Sequence, residues 1–356
     1  MADILRRHGQ EYLVQYKDRL LSSHKRALED IVQCRTETLG GHLYRCEHCD
    51  DLHYSYHSCK NRHCPKCMND SAKEWLEKQK GHLLPVKYFM ATFTVPDELR
   101  KVFRSHQKVL YNILFRSSAE PLQTLAEDKH YVGGKIGMIG ILQSWTRDLI
   151  YHPHIHYLIP GGGITGDGNK WRPAKKDFLM PVKALSVIYR AKFRDALKKT
   201  AHYHRVPTAV WKKKWVVHIE PVGTGLSALK YLAPYIFRVA ISNNNIITLK
   251  DGRVAFRCKD STTNKWCLKT ILAEEFIRRF LQHILPYRFR KVRYYGFLSS
   301  VNREQLENIK EQFDGRYIPI KVSKPEPLKN NTFCCPKCGS QLIWVEELPC
   351  KRGPPW

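Results

Sequence analysis

The chain has no apolar run approaching the ~18 residues that a membrane-spanning helix needs. Its opening residues, Met1-Ala2-Asp3-Ile4-Leu5-Arg6-Arg7-His8, lack the apolar core of a secretory signal. Both absences argue against a membrane or exported protein and point to the cytoplasm. No Gly-x-x-x-x-Gly-Lys-Ser/Thr occurs, so no helicase or ATPase is visible, and no Gly-x-Ser-x-Gly supports a serine hydrolase. Acidic residues are scarce: 33 Asp+Glu stand against 60 Lys+Arg in 356 residues, a formal net charge of +27. A surplus of that size favours a polyanionic partner, because each cation that meets a phosphate releases a condensed counterion.

Cysteine is not scarce. There are twelve, and six fall between Cys34 and Cys67. In a reducing compartment such clustering reads as metal ligation rather than disulfides. Cys46-x-x-Cys49 and Cys64-x-x-Cys67 are two knuckles fourteen residues apart, and together they supply the four thiolates of a tetrahedral, structural Zn²⁺. Cys34, His42, Cys59 and His63 are left over and can build a second site or simply pack. Lys60, Arg62, His63 and Lys66 around the second knuckle suit contact with DNA. Near the end, Cys335-x-x-Cys338 is half of a zinc ribbon; a zinc there needs Cys350 with Cys334, or a ligand from elsewhere.

Between these groups the texture is α+β. Leu5, Tyr12, Leu13, Tyr16 and Leu20 recur at roughly helical spacing, and Ser22 or Ser23 is placed to cap a second helix through Leu28 and Ile31. Val86 to Val95 is rich in β-branched and aromatic residues and stops at Pro96, which predicts a strand. Further strands are expected over 134–145, 154–159 and 215–220, the last ended by Pro221. Helices are expected over 71–80, 98–115, 182–202, from 226, and over 271–285. The glycines of 161–168 read as a flexible turn and Asp251-Gly252 as a hairpin turn.

Two patterns carry chemistry. In His152-Pro153-His154-Ile155-His156, a strand puts His154 and His156 on one face, and paired imidazoles can hold one metal ion. Tyr231 and Tyr235 lie four apart and share one face of a helix. Taken singly, core histidines and core tyrosines explain each pattern as well.

Together they resemble the HUH endonuclease superfamily, and in detail the two-tyrosine rolling-circle transposases of the insertion-sequence-91 type. The resemblance is carried by LGGHLYRCEHC, SCKNRHCPKC, TFTVP, LIYHPHIHYLIPGGG and KYLAPYIFRVAISNNNI. It implies an antiparallel sheet with flanking helices, preceded by a small helical zinc-binding domain. The implied division is 1–84 zinc-binding, 85–300 tyrosine nuclease, and 301–356 a basic tail with a CxxC knuckle. Mg²⁺ or Mn²⁺ would sit on His154 and His156, with Gln143 from the preceding strand as third ligand and His152 and His218 as weaker candidates. Tyr231 or Tyr235 would attack single-stranded DNA at element ends and target, leaving a 5′-phosphotyrosine and a free 3′-hydroxyl. Pro234 departs from a regular helix between the tyrosines, which favours Tyr231. Unpaired DNA would come from a host helicase or replication proteins. Rival readings are a replication initiator or relaxase, a metal-dependent hydrolase without a covalent link, and a non-catalytic zinc-finger DNA-binding protein. Trp211–Trp215 and Tyr287–Tyr295 interleave bases with aromatics, a pattern that can track phosphates and stack bases.

Overall fold

A computed structural model describes residues 1–67, 75–168, 170–175, 177–237, 240–260, 263–313 and 333–352, with the side chains of 232–235 and 237 outside that description. The chain forms two compact units, each assembled from separated segments. One comprises Met1–Ser71, Val239–Ile284 and Val322–Trp356; the other comprises Ala72–Arg238 and Leu285–Lys321.

The second unit is built on the aromatic, β-branched run, which forms β3 (Lys87–Thr94). It joins β4 (Met138–Trp145), β5 (Tyr151–Pro160), β8 (Val217–Thr224) and β12 (Val292–Tyr295) in an antiparallel sheet of order β12-β4-β5-β3-β8. Alternation gives this sheet two different faces. Phe89, Ala91, Phe93, Ile155, Tyr157 and Ile159 point to one side. There they form a core with α4 (Gln107–Glu127) and α5 (Val182–Lys198) through Tyr111, Leu114, Phe115, Tyr189 and Phe193. Gly140 is required on this side: a Cβ there would stand 2.6 Å from the Tyr157 ring, whose hydroxyl lies 2.8 Å from Ser118 Oγ. On the other face, Met90, Ile139, Ile141 and Leu158 are covered by Ala228, Leu229 and Ile236 of α6 (Gly225–Phe237).

Several boundaries differ from the sequence reading. The helix expected over 98–115 is two helices, α3 (Arg100–Ser105) and α4, broken at His106. Strand β8 does not stop at Pro221 but passes through it. It is an edge strand, and its pairing with β3 shifts register beside Pro221, a position where the missing N–H costs the ladder little. The glycines expected to form a flexible turn make β6 (Gly162–Ile164), paired with β7 (Trp171–Pro173). A Cβ on Gly162 would lie 2.3 Å from the Trp171 ring, so the need is close approach, not flexibility. The helix expected over 71–80 is present from 75; 71–74 lie outside the described residues.

In the first unit α1 (Ala2–Gln15) and α2 (Ser22–Gln33) pack together. A sheet of order β13-β1-β2 follows, from β1 (Gly41–Cys46), β2 (Leu52–Tyr56) and β13 (Leu342–Leu348). A second sheet joins β9 (Ile246–Lys250), β10 (Arg253–Lys259) and β11 (Trp266–Leu272) and rests on α7 (Ala273–Leu281). Asp251 and Gly252 take φ of 49° and 68° between β9 and β10, as a tight hairpin requires. The helix expected from 271 starts only at Ala273, because residues 271 and 272 still pair with Val254 and Arg253.

Residues 301–356 are therefore not one tail. The helix α8 (Arg303–Glu311) packs its Leu306 and Ile309 on Leu84, Ile164 and Phe297 of the second unit, whereas β13 pairs with β1 in the first. Strands that meet across almost the whole chain leave no spacing signal in the sequence. Among the described residues no helix is long and apolar enough to cross a membrane.

Candidate active site

Strand pairing places the histidines. In antiparallel sheet, directly opposed residues point to the same side. His154 stands opposite Gln143 on β4 and Thr94 on β3. His156 stands opposite Thr92, which is in turn opposite His218 on β8. All of these lie on the face that α6 covers, since Ile141, opposite His156, and Leu158, two residues on, are packed there. The rings of His154 and His156 are 4.8 Å apart, centre to centre.

Their surroundings fit metal ligation. His154 Nδ1 donates to the His152 carbonyl at 2.7 Å, and Thr92 Oγ1 engages His156 Nδ1 at 3.0 Å. The carbonyl leaves His154 Nε2 as its ligand atom, and His156 Nε2 is the ligand atom in the tautomer that donates Nδ1–H to Thr92. Burial holds His154 down at about 4 and pushes His156 well below the ordinary imidazole range, so both rings are neutral at neutral pH, the form a metal requires. Gln143 is buried beside them and offers an amide oxygen, the donor type that Mg²⁺ and Mn²⁺ favour. Among the described residues no Asp, Glu, Cys or further His joins the pair in a group of three. His152 is instead engaged at Nδ1 by Arg100, 2.8 Å away, and His218 lies 3.5 Å from Glu220.

The tyrosine helix meets this face at β8. Tyr231, 40% exposed, donates its hydroxyl proton to Glu220 Oε1 at 3.1 Å. Glu220 faces the same side as His218 and His156, one residue pair further along β8. The backbones of β5 and β8 are two strand spacings apart, roughly 10 Å. Ser227 fixes the start of α6: its Oγ accepts from Thr224 N at 3.1 Å and donates to Thr224 O at 2.6 Å. Tyr235 lies on the same helix, but its side chain is outside the described residues. Sequence reasoning missed Glu220. The signal was present, for an acid two residues after His218 on a predicted strand shares its face.

The cysteines correct one expectation. Cys46, Cys49, Cys64 and Cys67 do not converge on one site. They split between two quartets, Cys34-Cys59-Cys64-Cys67 and Cys46-Cys49-Cys335-Cys338, each with all Sγ atoms within 4.8 Å of one another. The hairpin of β1 and β2 separates the two N-terminal knuckles, and β13 brings the C-terminal knuckle to the first. A tetrahedron of Zn–S bonds near 2.3 Å has edges of about 3.8 Å. The Sγ separations are 3.4 Å for Cys34–Cys67 and 3.6 Å for Cys59–Cys67, and 3.4, 3.6 and 3.7 Å for Cys46–Cys338, Cys49–Cys335 and Cys49–Cys338. None of these cysteines is in a disulfide. Hydrogen bonding from Cys59 pulls the Cys64 thiol down and the Ser340 backbone pulls Cys338 down, while burial and neighbouring thiols push Cys34, Cys59 and Cys49 up, so one thiolate is favoured in each group. His42 and His63 belong to neither quartet. Lys60 and Lys66 are exposed beside the Cys64 knuckle, whereas Arg62 and His63 are half-buried.

The two basic–aromatic runs differ in which rings are exposed. Trp215 is buried with its Nε1 donating to Val210 O, and Trp211 stacks on it, so these rings are core while Lys212, Lys213 and Lys214 are exposed. In the second run Phe289 is buried and Arg293 sits 4.0 Å from the Phe115 ring centre, leaving Tyr287, 65% exposed with Arg288 5.1 Å from its ring centre, as the exposed ring.

Residues 137–305 match a family described as "Putative transposase", a span that contains Gln143, His154, His156, Glu220, Tyr231 and Tyr235. Residues 4–95 match a "Transposase zinc-binding domain" of the insertion-sequence-91 type. This span contains the six N-terminal cysteines but not Cys335 and Cys338. A protein of Sinorhizobium fredii (strain NBRC 101917 / NGR234), described as "Putative transposase y4qJ", is 34% identical across 100% of this chain and 97% of its own length. The "Transposase for insertion sequence element IS801" of Pseudomonas savastanoi pv. phaseolicola is 24% identical across 89% of this chain and 82% of its own. No solved structure matches.

Proposed function

The chain belongs to the insertion-sequence-91 type of transposases, which act on DNA, and we propose that it nicks and rejoins single strands through a 5′-phosphotyrosine link during rolling-circle transposition. The observation that carries this reading is the shared face: His154 and His156 lie on the side of the sheet that the tyrosine helix covers.

In this reading His154, His156 and Gln143 hold Mg²⁺ or Mn²⁺, and a bound divalent ion supplies positive charge at the scissile phosphate. Tyr231 Oη attacks phosphorus, its proton passes to Glu220, and the 3′-oxygen departs and takes up a proton as a free hydroxyl. A phenol with a pKa near ~10 is a weak nucleophile at neutral pH, so a carboxylate already hydrogen-bonded to it lowers the barrier to losing that proton. The ester to tyrosine keeps the phosphodiester energy, and the 3′-hydroxyl reverses the step without ATP. Tyr235 would hold the second cut end. A host helicase or replication proteins would supply the unpaired strand in the cytoplasm. A relative named as the transposase of an insertion sequence supports transposition over an origin-nicking role.

The test is a cleavage assay on end-labelled single-stranded DNA carrying the element's own terminus. With Mg²⁺ or Mn²⁺ the wild type should give a denaturant-resistant protein–DNA adduct that chelator abolishes. Cleavage without an adduct would indicate metal-activated water, and binding without cleavage a DNA-binding module. Glu220→Gln should keep the hydrogen bond geometry but slow adduct formation about 100-fold, with the loss shrinking as pH approaches that of phenol ionisation. An unchanged rate would remove Glu220 from proton transfer.

A further inference from the structure

Among the described residues, the sheet of β9, β10 and β11 has one face sealed by α7 and an outer face on which, apart from the buried Ala255, most side chains are exposed. Val254, Phe256 and Cys258 of β10 are buried, and Phe256 meets Phe276 of α7 edge-on at 5.7 Å. The residues between them point the other way. Register sets Arg253 opposite Leu272, Arg257 opposite Leu268, and Lys259 opposite Trp266, with Lys250 on the far side of Arg253. On this outer face Trp266, Leu268 and Leu272 are 58%, 61% and 53% exposed. The Arg257 guanidinium and the Lys259 ammonium lie 5.4 and 5.5 Å from the Trp266 ring centre. The carboxylates at the start of α7 are engaged elsewhere, Glu274 by Tyr16 and Glu275 by Arg278 and Arg279.

A column of cations down the middle strand, beside a column of exposed apolar side chains headed by an indole, suits one class of ligand. The cations match phosphates, and an exposed indole takes an unpaired base. We propose that this face of β10 and β11 binds single-stranded DNA, with Trp266 stacking on a base and Arg253, Arg257 and Lys259 holding the backbone. The proposal rests on the reading of the chain as a single-strand transposase and adds a binding surface remote in sequence from every cysteine quartet.

The test uses full-length, zinc-loaded protein and fluorescence anisotropy with a thymidine homopolymer, a duplex and the element terminus. Trp266→Ala should weaken single-strand binding about tenfold and duplex binding little, and Trp266→Phe should restore most of the loss. Arg257→Gln with Lys259→Gln should lower the salt slope of single-strand binding by about 1.4, roughly 0.7 per phosphate contact. An iodouracil-substituted strand should crosslink to the Trp266 peptide. Affinities within twofold of wild type in all variants, with wild-type zinc content, overturn the proposal. So does loss of self-association in Trp266→Ala with unchanged DNA affinity, which would make this a surface between copies. If the variants lose affinity while the wild type forms no adduct, the surface stands and the catalytic reading falls.

Discussion

Tyr231→Phe should eliminate the covalent protein–DNA adduct. The ring stays in place and only the hydroxyl bound to Glu220 is lost, so zinc content, folding and DNA affinity should match wild type. Removing the nucleophile of a covalent mechanism costs on the order of 10⁶ in rate where no second group replaces it. Here Tyr235 stands one helical turn further along, so any residual adduct should disappear in the double phenylalanine variant. His154→Ala with His156→Ala should lower cleavage by about 1000-fold or more, the scale of several kcal/mol of charge stabilisation at phosphorus, and extra Mg²⁺ or Mn²⁺ should not restore it. If all four substitutions leave cleavage intact, these residues are structural. If Tyr235→Phe alone removes the adduct, the nucleophile is the other tyrosine, and the Glu220 contact to Tyr231 belongs to the second strand transfer or to none.

What the sequence made legible follows from the range of the interactions. The His-x-His strand, the hairpin at Asp251-Gly252 and the tyrosine helix are set by residues within a few positions of each other, and period and turn chemistry suffice to read them. The third candidate ligand, Gln143, was reachable because β4 and β5 are consecutive antiparallel strands. Pro221 misled because a proline ends most strands but not an edge strand at a register shift. The cysteine partners were out of reach for a different reason. Two knuckles adjacent in sequence fit one zinc on spacing alone, and strand β2, which leads away from the first knuckle before the second begins, together with β13 arriving from the far end, exists only in the folded chain.

That pairing gives the second large prediction. The protein should hold two zinc ions per chain, using eight of its twelve cysteines. Cys335→Ser with Cys338→Ser should halve the zinc content, as should Cys59→Ser with Cys64→Ser, each measured by metal analysis of purified protein. A single site on Cys46, Cys49, Cys64 and Cys67 predicts instead that the first variant keeps its full zinc. The structural cost should also differ. A four-cysteine zinc contributes about 10–16 kcal/mol in isolated fingers, comparable to the whole stability of a domain, about 5–15 kcal/mol. Loss of the Cys46 quartet removes the anchor at one end of β1 and β13, although Lys337–Asp51 at 2.6 Å, Lys351–Glu37 at 3.1 Å and Arg352–Asp30 at 2.5 Å still link the two chain ends. Lys337–Asp51 and Lys351–Glu37 are mostly exposed, and such bridges are worth ~0–1 kcal/mol each; Arg352–Asp30 is largely buried, but it follows the end of β13 that lies away from the quartet, so it does not hold the Cys46 end. Limited proteolysis of the Cys335/Cys338 variant, or of wild type with chelator, should therefore release the segment from 333 onward first, while α4, α5 and the five-stranded sheet stay protected. Protection of the C-terminal segment after its cysteines are removed would show that β-pairing, not zinc, holds the two ends of the chain together.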